Sequence, residues 1–120
     1  RPAPEDLKTL AEGCDLLVLP TSPDALAMGA MLQMLEVLQT LETDYRILLT
    51  IIPPKPNLAG EEARMSLENA QLPVFKGGIR RLNVFQKAAL AGVPVYDIKG
   101  DQYAGIAWRC YREVGEEVLA

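Results

Sequence analysis

Four basic side chains lie in a stretch of the sequence that contains no acidic residue. Glu68 and Asp97 bound this stretch, and its basic members are Lys76, Arg80, Arg81 and Lys87. The whole chain is acidic, because its 16 Asp and Glu residues outnumber its 12 Lys and Arg residues and give a net charge of −4. Positive charge concentrated in this way attracts phosphate groups without reading bases. The pattern excludes a uniformly basic nucleic-acid coat and predicts a local phosphate-binding patch.

The sequence leaves two uses of this patch open. We expect Lys76, Arg81 and Lys87 to contact the DNA backbone, whereas the guanidinium groups of Arg80 and Arg81 could equally serve a bound nucleotide. The alternative is a solvated helix face whose basic groups pair with nearby carboxylates, those of Glu61, Glu62 and Glu68.

Several kinds of chemistry are excluded by composition. The chain has no histidine, which removes His-based triads, His general bases and His metal ligands. Cys14 and Cys110 form no CxxC pair, so we expect reduced thiols and neither a zinc site nor a redox motif. We therefore predict no catalytic and no metal-ligating residue in these 120 residues, and an unrelated small α/β enzyme is disfavoured.

The longest apolar stretch, residues 25–41, is short and polar for a membrane span, which takes about 20 apolar residues. It is interrupted by Gln33, Glu36, Gln39 and Thr40. Residues 1–4 show no basic-then-apolar leader. We expect a cytoplasmic protein without a membrane partner.

The elements that position the basic patch alternate between strand and helix patterns. Apolar runs at residues 15–20 and 46–52 flank a helical pattern at 24–41, which Thr21 or Ser22 would cap. This order predicts a βαβ unit and a parallel sheet. Further helices are predicted at residues 4–13, 58–70, 82–91 and 102–119, and further extended segments at 72–75 and 93–96.

Repeated alternation of this kind predicts an α/β fold, a parallel sheet with helices on both faces, in a single unit spanning residues 1–120. The first strand is apolar throughout, which is typical of a strand with neighbours on both sides. The sequence supplies a partner on one side only. We therefore expect this chain to be the second half of a larger domain, and the edge of the first strand to pair with a second copy or to be covered by residues 1–13.

Two blocks of the chain resemble a known family. Residues 14–26, CDLLVLPTSPDAL, resemble the segment after the Walker B strand of ParA/MinD-type ATPases. Residues 74–95, VFKGGIRRLNVFQKAALAGVPV, resemble the IPxRxxFxxAxxxGxPV block of the same family. Both blocks occur in the family's order, and with the elements between them they cover nearly the whole chain.

The resemblance implies the C-terminal half of a P-loop NTPase fold. The family's phosphate-binding turn, KGGxGK[ST], does not occur here, because Lys76-Gly77-Gly78 is followed by Ile79 and not by GK[ST]. By the resemblance, the Walker B aspartate would precede Arg1. ATP or ADP with Mg²⁺ is therefore expected only together with an N-terminal half, and we expect these 120 residues alone to be inactive and to bind no cofactor.

In such ATPases the C-terminal half supplies loops beside the nucleotide base, at the carboxyl ends of the strands. By resemblance, the cofactor-contacting residues here are Thr50, Pro53 and Pro54 after the second strand, and Ile79 and Arg80 after the third. Many relatives carry Asn or Asp where this chain has Ile52-Pro53-Pro54. The prolines could read the base by stacking, or they could simply end the strand.

The family resemblance further implies a role in chromosome or plasmid partitioning, through ATP-dependent dimerisation that positions DNA or other cargo. The implied partners are a second copy of the chain, non-specific DNA and a ParB-like or cargo protein. The alternative is a free-standing, truncated interaction or dimerisation module that binds no nucleotide.

Overall fold

The computed structural model describes residues 3–120. In these residues a two-stranded parallel sheet is combined with α-helices, which confirms the α/β class predicted from the sequence. The elements are α1 (Pro4–Glu12), β1 (Leu17–Thr21), α2 (Ala25–Thr40), β2 (Tyr45–Leu49), α3 (Ala59–Asn69), α4 (Asn83–Ala91), a 3₁₀ helix (Val95–Asp97) and α5 (Ala104–Leu119).

The two strands pair in parallel, in a register that runs from Leu17 opposite Tyr45 to Thr21 opposite Leu49. Helix α2 connects them, so β1, α2 and β2 form the predicted βαβ unit. Because parallel strands end at the same edge of a sheet, the loops after β1 and β2 lie side by side.

The third predicted strand, residues 72–75, is replaced by two isolated parallel bridges to β2 and the loop after it. The bridged pairs are Ile47 with Val74 and Ile52 with Arg80. Pro73 has no N–H group to give to a ladder. The 74–80 segment is also one residue longer than the 47–52 segment that it faces, so it bulges between the bridges. The prediction of a continuous third strand was therefore wrong, although this segment does lie beside β2.

Side chains of β2 point alternately into two packed layers. Ile47 and Leu49 are buried in the cluster formed with α1, α2 and α3. Leu48 packs against a second cluster, which contains Cys110 and Val114 of α5. Since successive residues of a strand face opposite sides, helices cover β2 on both faces.

Strand β1 is less covered than its apolar sequence predicts. Leu19 and Thr21 are buried, but Val18 is 38% exposed and Pro20 is also exposed. Within residues 3–120, β1 pairs with β2 alone, so its other edge is unpaired. In the described residues this strand therefore has one neighbour, whereas its apolar sequence is typical of a strand with two.

Helix α2 begins at an aspartate and not at the hydroxyl residues suggested by the sequence. The Oδ1 atom of Asp24 accepts a hydrogen bond from the Ala27 N–H at 2.9 Å, and the Ser22 hydroxyl donates to the other carboxylate oxygen. These bonds, that of Ser22 first, hold the pKa of Asp24 below its ordinary value of 3.8. The Thr21 hydroxyl donates to the Ser22 carbonyl instead, so Thr21 does not cap the helix.

The rest of α2 is apolar on exposed as well as buried sides. Met31, Leu35 and Leu38 are buried, while Leu26 and Leu32 are exposed. In the range from residue 3 to residue 120, no helix is both long enough and apolar enough to cross a bilayer.

Residues 93–96, predicted to be extended, lead instead into the 3₁₀ helix Val95–Asp97. Val95 is buried among Val84 of α4 and Ala107 of α5, so this segment fills the space between two helices rather than joining the sheet. Helix α4 ends as predicted at Gly92, which has the left-handed φ of 67° that glycine tolerates.

Candidate functional site

Three backbone hydrogen bonds gather the loops at the carboxyl edge of the sheet. The Thr50 N–H donates to the Thr21 carbonyl at 2.9 Å, which joins the ends of β2 and β1. The Ile52 N–H donates to Ile79 at 3.0 Å, and the Arg81 N–H donates to Ile52 at 2.9 Å. These bonds place the Pro53-Pro54 loop directly beside the Arg80-Arg81 segment.

Ile51 has an unusual backbone at this edge. Its φ is 52°, in the left-handed region that β-branched residues rarely adopt, and its side chain is 58% exposed. The left-handed residue lies between the end of β2 and Ile52, which forms the bridge to Arg80. Backbone strain of this kind is commonly found where a chain positions a functional loop.

A first cavity of about 460 Å³ lies between the Pro53-Pro54 loop, Arg80 and the start of α3. Ile52 lies at its base and packs closely on glycines, since a Cβ added to Gly60 would lie 2.6 Å from Ile52 Cγ2. Its walls combine Ile52 and the two prolines with the charged side chains of Lys55, Glu61 and Arg80, which suits a ligand that has both an apolar face and charged groups.

A second cavity, of about 730 Å³, lies between the start of α4 and the loop before α5. Arg80, Arg81 and Lys87 line it together with Asn83 and Asp101. No side chain of the described chain caps the N terminus of α4, where the backbone N–H groups and the helix dipole favour an anion. This is the more polar and more positive of the two cavities.

Lys87 is paired within this second cavity. Its Nζ atom lies 2.6 Å from the Oδ2 atom of Asp101, whose Oδ1 atom accepts the Tyr103 N–H at 2.8 Å. The hydrogen bond from Lys87, and then that from Tyr103, hold the pKa of Asp101 below its ordinary value. Arg80 and Arg81, in contrast, form no ion pair with any residue between 3 and 120.

Lys76 lies elsewhere, so the structure does not bring all of the predicted DNA contacts together. The Lys76 and Gly77 N–H groups donate to the Glu117 carboxylate at 2.8 and 2.7 Å. Lys76 does not line the cavity that holds Arg81 and Lys87. The carboxylates that meet the basic segment are therefore those of Asp101 and Glu117, and not the three that the sequence suggested.

The residues predicted to contact the cofactor do not all line the same cavity. Thr50 lines a separate apolar cavity of about 380 Å³, formed with Met31 and Met34 of α2. Ile79 is only 7% exposed, and its N–H and carbonyl groups are bonded to Leu49 and Ile52. Pro53, Pro54 and Arg80 therefore share a cavity, whereas Thr50 and Ile79 lie outside it. No group of three or more Cys, Asp or Glu side chains in residues 3–120 is arranged to hold a metal ion.

The fold and this edge define an α/β protein with a loop-lined carboxyl edge and a cationic cavity. No family model matches the chain. A curated protein, "Maintenance of carboxysome distribution protein A" of Gloeobacter kilaueensis, is 32% identical over 114 residues. The alignment covers 93% of this chain and 52% of that protein, so the chain spans about half the length of its relative. This similarity supports a ParA/MinD-type relationship.

Proposed function

We propose that this chain is the C-terminal part of a ParA-like ATPase that positions cargo in the cytoplasm. The observation that carries the proposal is the similarity to a carboxysome distribution protein along 93% of the chain. The loops at the carboxyl edge agree with it, since open α/β sheets bind ligands there. The proposed cargo is a carboxysome, as the relative's name suggests, or a chromosome or plasmid.

In this proposal the nucleotide base lies against the Pro53-Pro54 loop, and Arg80 faces its phosphates from the wall shared by both cavities. Thr50 and the backbone of Ile79 hold the loop ends in register. ATP and Mg²⁺ bind only together with a P-loop segment outside these 120 residues, because the sequence holds no GK[ST] turn. The nucleotide, when bound in the complete protein, would favour association of two copies.

ATP binding by the complete protein tests this proposal. We expect Arg80→Gln to weaken ATP binding about tenfold, which equals about 1.4 kcal/mol, because a desolvated phosphate loses a charged donor. Titration with a fluorescent ATP analogue measures the change, and Arg109→Gln on α5 is the matched control. Complete protein that binds no ATP would favour the interaction module instead. Equal affinity of the Arg80→Gln variant and wild type would contradict the role of this arginine.

We further propose that Arg81 and Lys87 contact DNA phosphates without reading sequence. Support comes from the second cavity, where both residues lie beside the uncapped start of α4. Charge reversal at both positions in the complete protein is expected to abolish DNA binding, as measured by fluorescence anisotropy across a salt series. DNA binding that is unchanged and insensitive to salt would remove this contact. Lys76 is not part of this DNA contact, because its backbone N–H bonds to Glu117 near the C-terminal end of α5, away from the second cavity.

The partners follow from the same proposal. A second copy of the chain completes a nucleotide-gated dimer, and a ParB-like or cargo-specific adaptor connects the dimer to what it moves. Localisation is cytoplasmic, and no membrane partner is proposed.

A further inference from the structure

The second cavity contains one acidic side chain among its basic ones. Arg80, Arg81 and Lys87 supply three positive charges, and Asp101 opposes them with one negative charge. Asp101 lies in the loop before α5, and its ion pair with Lys87 connects that loop to α4. A phosphate that enters this cavity therefore meets a carboxylate that is already bound to one of its cations.

The geometry makes this carboxylate well placed to compete with phosphate. Its side chain is 10% exposed, and both of its oxygens are used, one by Lys87 Nζ at 2.6 Å and one by the Tyr103 N–H. The Tyr103 bond holds Asp101 in place from the start of α5, so the ion pair is pre-organised. A phosphate can recruit Lys87 only by replacing Asp101 as its partner, whereas Arg80 and Arg81 have no such competitor in residues 3–120.

We propose that Asp101 is an internal competitor that sets the affinity of this cavity for backbone phosphates of DNA. This inference rests on the proposed DNA contact of Arg81 and Lys87. While Lys87 is paired with Asp101 its contact with a DNA phosphate is weakened, and loss of the carboxylate makes it a full phosphate ligand. The ion pair in this way keeps DNA binding weaker than the three basic side chains alone would make it.

The test uses Asp101→Asn in the complete protein, with a short duplex of mixed sequence as the probe. Asparagine keeps an oxygen for the Tyr103 N–H but carries no charge. We expect DNA binding to tighten by about three- to tenfold at low salt. The slope of log affinity against log salt should steepen by about one, because Lys87 then releases its own counterion on binding. A change that was merely structural would not alter this slope.

Two further variants complete the experiment. Lys87→Gln should weaken DNA binding less in the wild-type protein than in the Asp101→Asn background, where it should cancel the whole gain, which gives a double-mutant cycle for the pair. Glu116→Gln is the control, since it removes the same charge from an exposed pair with Arg112 on α5. Thermal unfolding of each variant verifies that it is folded.

The outcomes separate this inference from the proposal beneath it. Salt-dependent DNA binding that is no tighter in Asp101→Asn than in Glu116→Gln overturns the role of Asp101 alone. A gain that survives Lys87→Gln also overturns it, because the freed lysine is then not the cause. No DNA binding by wild type and by Asp101→Asn overturns the proposed DNA contact and this inference with it.

Discussion

Ile51 combines a strained backbone with an exposed side chain, so its backbone conformation is unfavourable and little burial of apolar surface offsets it. A β-branched residue at a φ of 52° costs about 1–2 kcal/mol relative to a right-handed conformation. Its exposed side chain recovers little of that cost through burial. The strain fits a loop that is held in position for binding.

We therefore expect Ile51→Gly to raise the free energy of unfolding by about 1 kcal/mol, measured by urea denaturation, because glycine adopts this φ freely. In the complete protein the same change should weaken ATP binding, since the Pro53-Pro54 loop is then less rigidly placed. Gln71→Gly is the matched control, because Gln71 has a similar φ of 60° at the far end of α3. It should stabilise the fold and leave ATP binding unchanged. A destabilised Ile51→Gly variant would refute the interpretation of strain.

At the scale of elements, Ile52 holds the start of α3 and the bulged segment together through two close approaches. A Cβ added to Gly78 would lie 2.5 Å from Ile52 Cδ1 and 3.1 Å from the Leu49 carbonyl oxygen. A Cβ added to Gly60 would instead meet Ile52 Cγ2 at 2.6 Å. The two glycines therefore touch different methyl groups of one side chain.

This difference permits a specific prediction. Gly78→Ala and Gly60→Ala should each destabilise the fold by about 1–3 kcal/mol through overpacking. Combination with Ile52→Val, which removes Cδ1 but keeps Cγ2, should recover part of the loss for Gly78→Ala and none for Gly60→Ala. Chemical denaturation of the wild type, the three single variants and the two double variants measures the cycle. The control is Gly29→Ala on α2, where a new Cβ meets nothing within 4 Å, and this change should stabilise the fold by about 0.5–1 kcal/mol. Equal recovery of both alanine variants would contradict the proposed contacts.

Sequence patterns predicted the elements that depend on local order and missed those that depend on distant residues. The βαβ unit was predictable because two apolar runs flank a segment of helical length. The third strand was wrongly predicted, because Pro73 already argued against it in the sequence, whereas the bulge before Arg80 depends on pairing with β2 and has no signal in the apolar pattern. The capping role of Asp24 was missed because Thr21 and Ser22 are equally good capping types by sequence.

The same limit applies to the candidate site. Proximity of the Pro53-Pro54 loop and Arg80 followed from the parallel sheet, which collects strand ends at one edge. The carboxylates near the basic residues did not follow, because Asp101, which pairs with Lys87, lies 14 residues from it in the chain, and Glu117, which accepts the backbone N–H of Lys76, lies 41 residues away. A window of sequence without acidic residues is therefore not a surface without acidic residues.

At the scale of the whole molecule, one edge of β1 has no neighbouring strand in the described fold. The Leu17 N–H donates to the Asp44 carbonyl, and the Thr21 carbonyl accepts from the Thr50 N–H. The backbone N–H and carbonyl groups of the odd-numbered residues of β1 therefore point toward β2. The backbone groups of Val18 and Pro20 therefore face away from β2. Proline has no N–H there, which reduces but does not remove the tendency of this edge to pair.

We expect the 120-residue chain to self-associate through this edge, with a sedimentation coefficient that rises with protein concentration. Val18→Lys should shift the association equilibrium of the chain toward the monomer, because a charged residue on an edge strand opposes pairing. Leu90→Lys on α4 is the control, since Leu90 is also an exposed apolar residue but lies far along the chain from β1. A chain that stays monomeric at all concentrations, or that responds to Leu90→Lys instead, would contradict this use of the edge.

The two cysteines make this edge open to direct observation. Cys14, just ahead of β1, is exposed, whereas Cys110 is buried in the cluster that joins α5 to β2, and both are free thiols. A thiol-reactive dye will therefore label the native protein at Cys14 in preference to Cys110. The natural chain thus carries an optical reporter beside its open strand, and fluorescence from that dye can follow the arrival of a neighbouring strand in real time without an engineered cysteine.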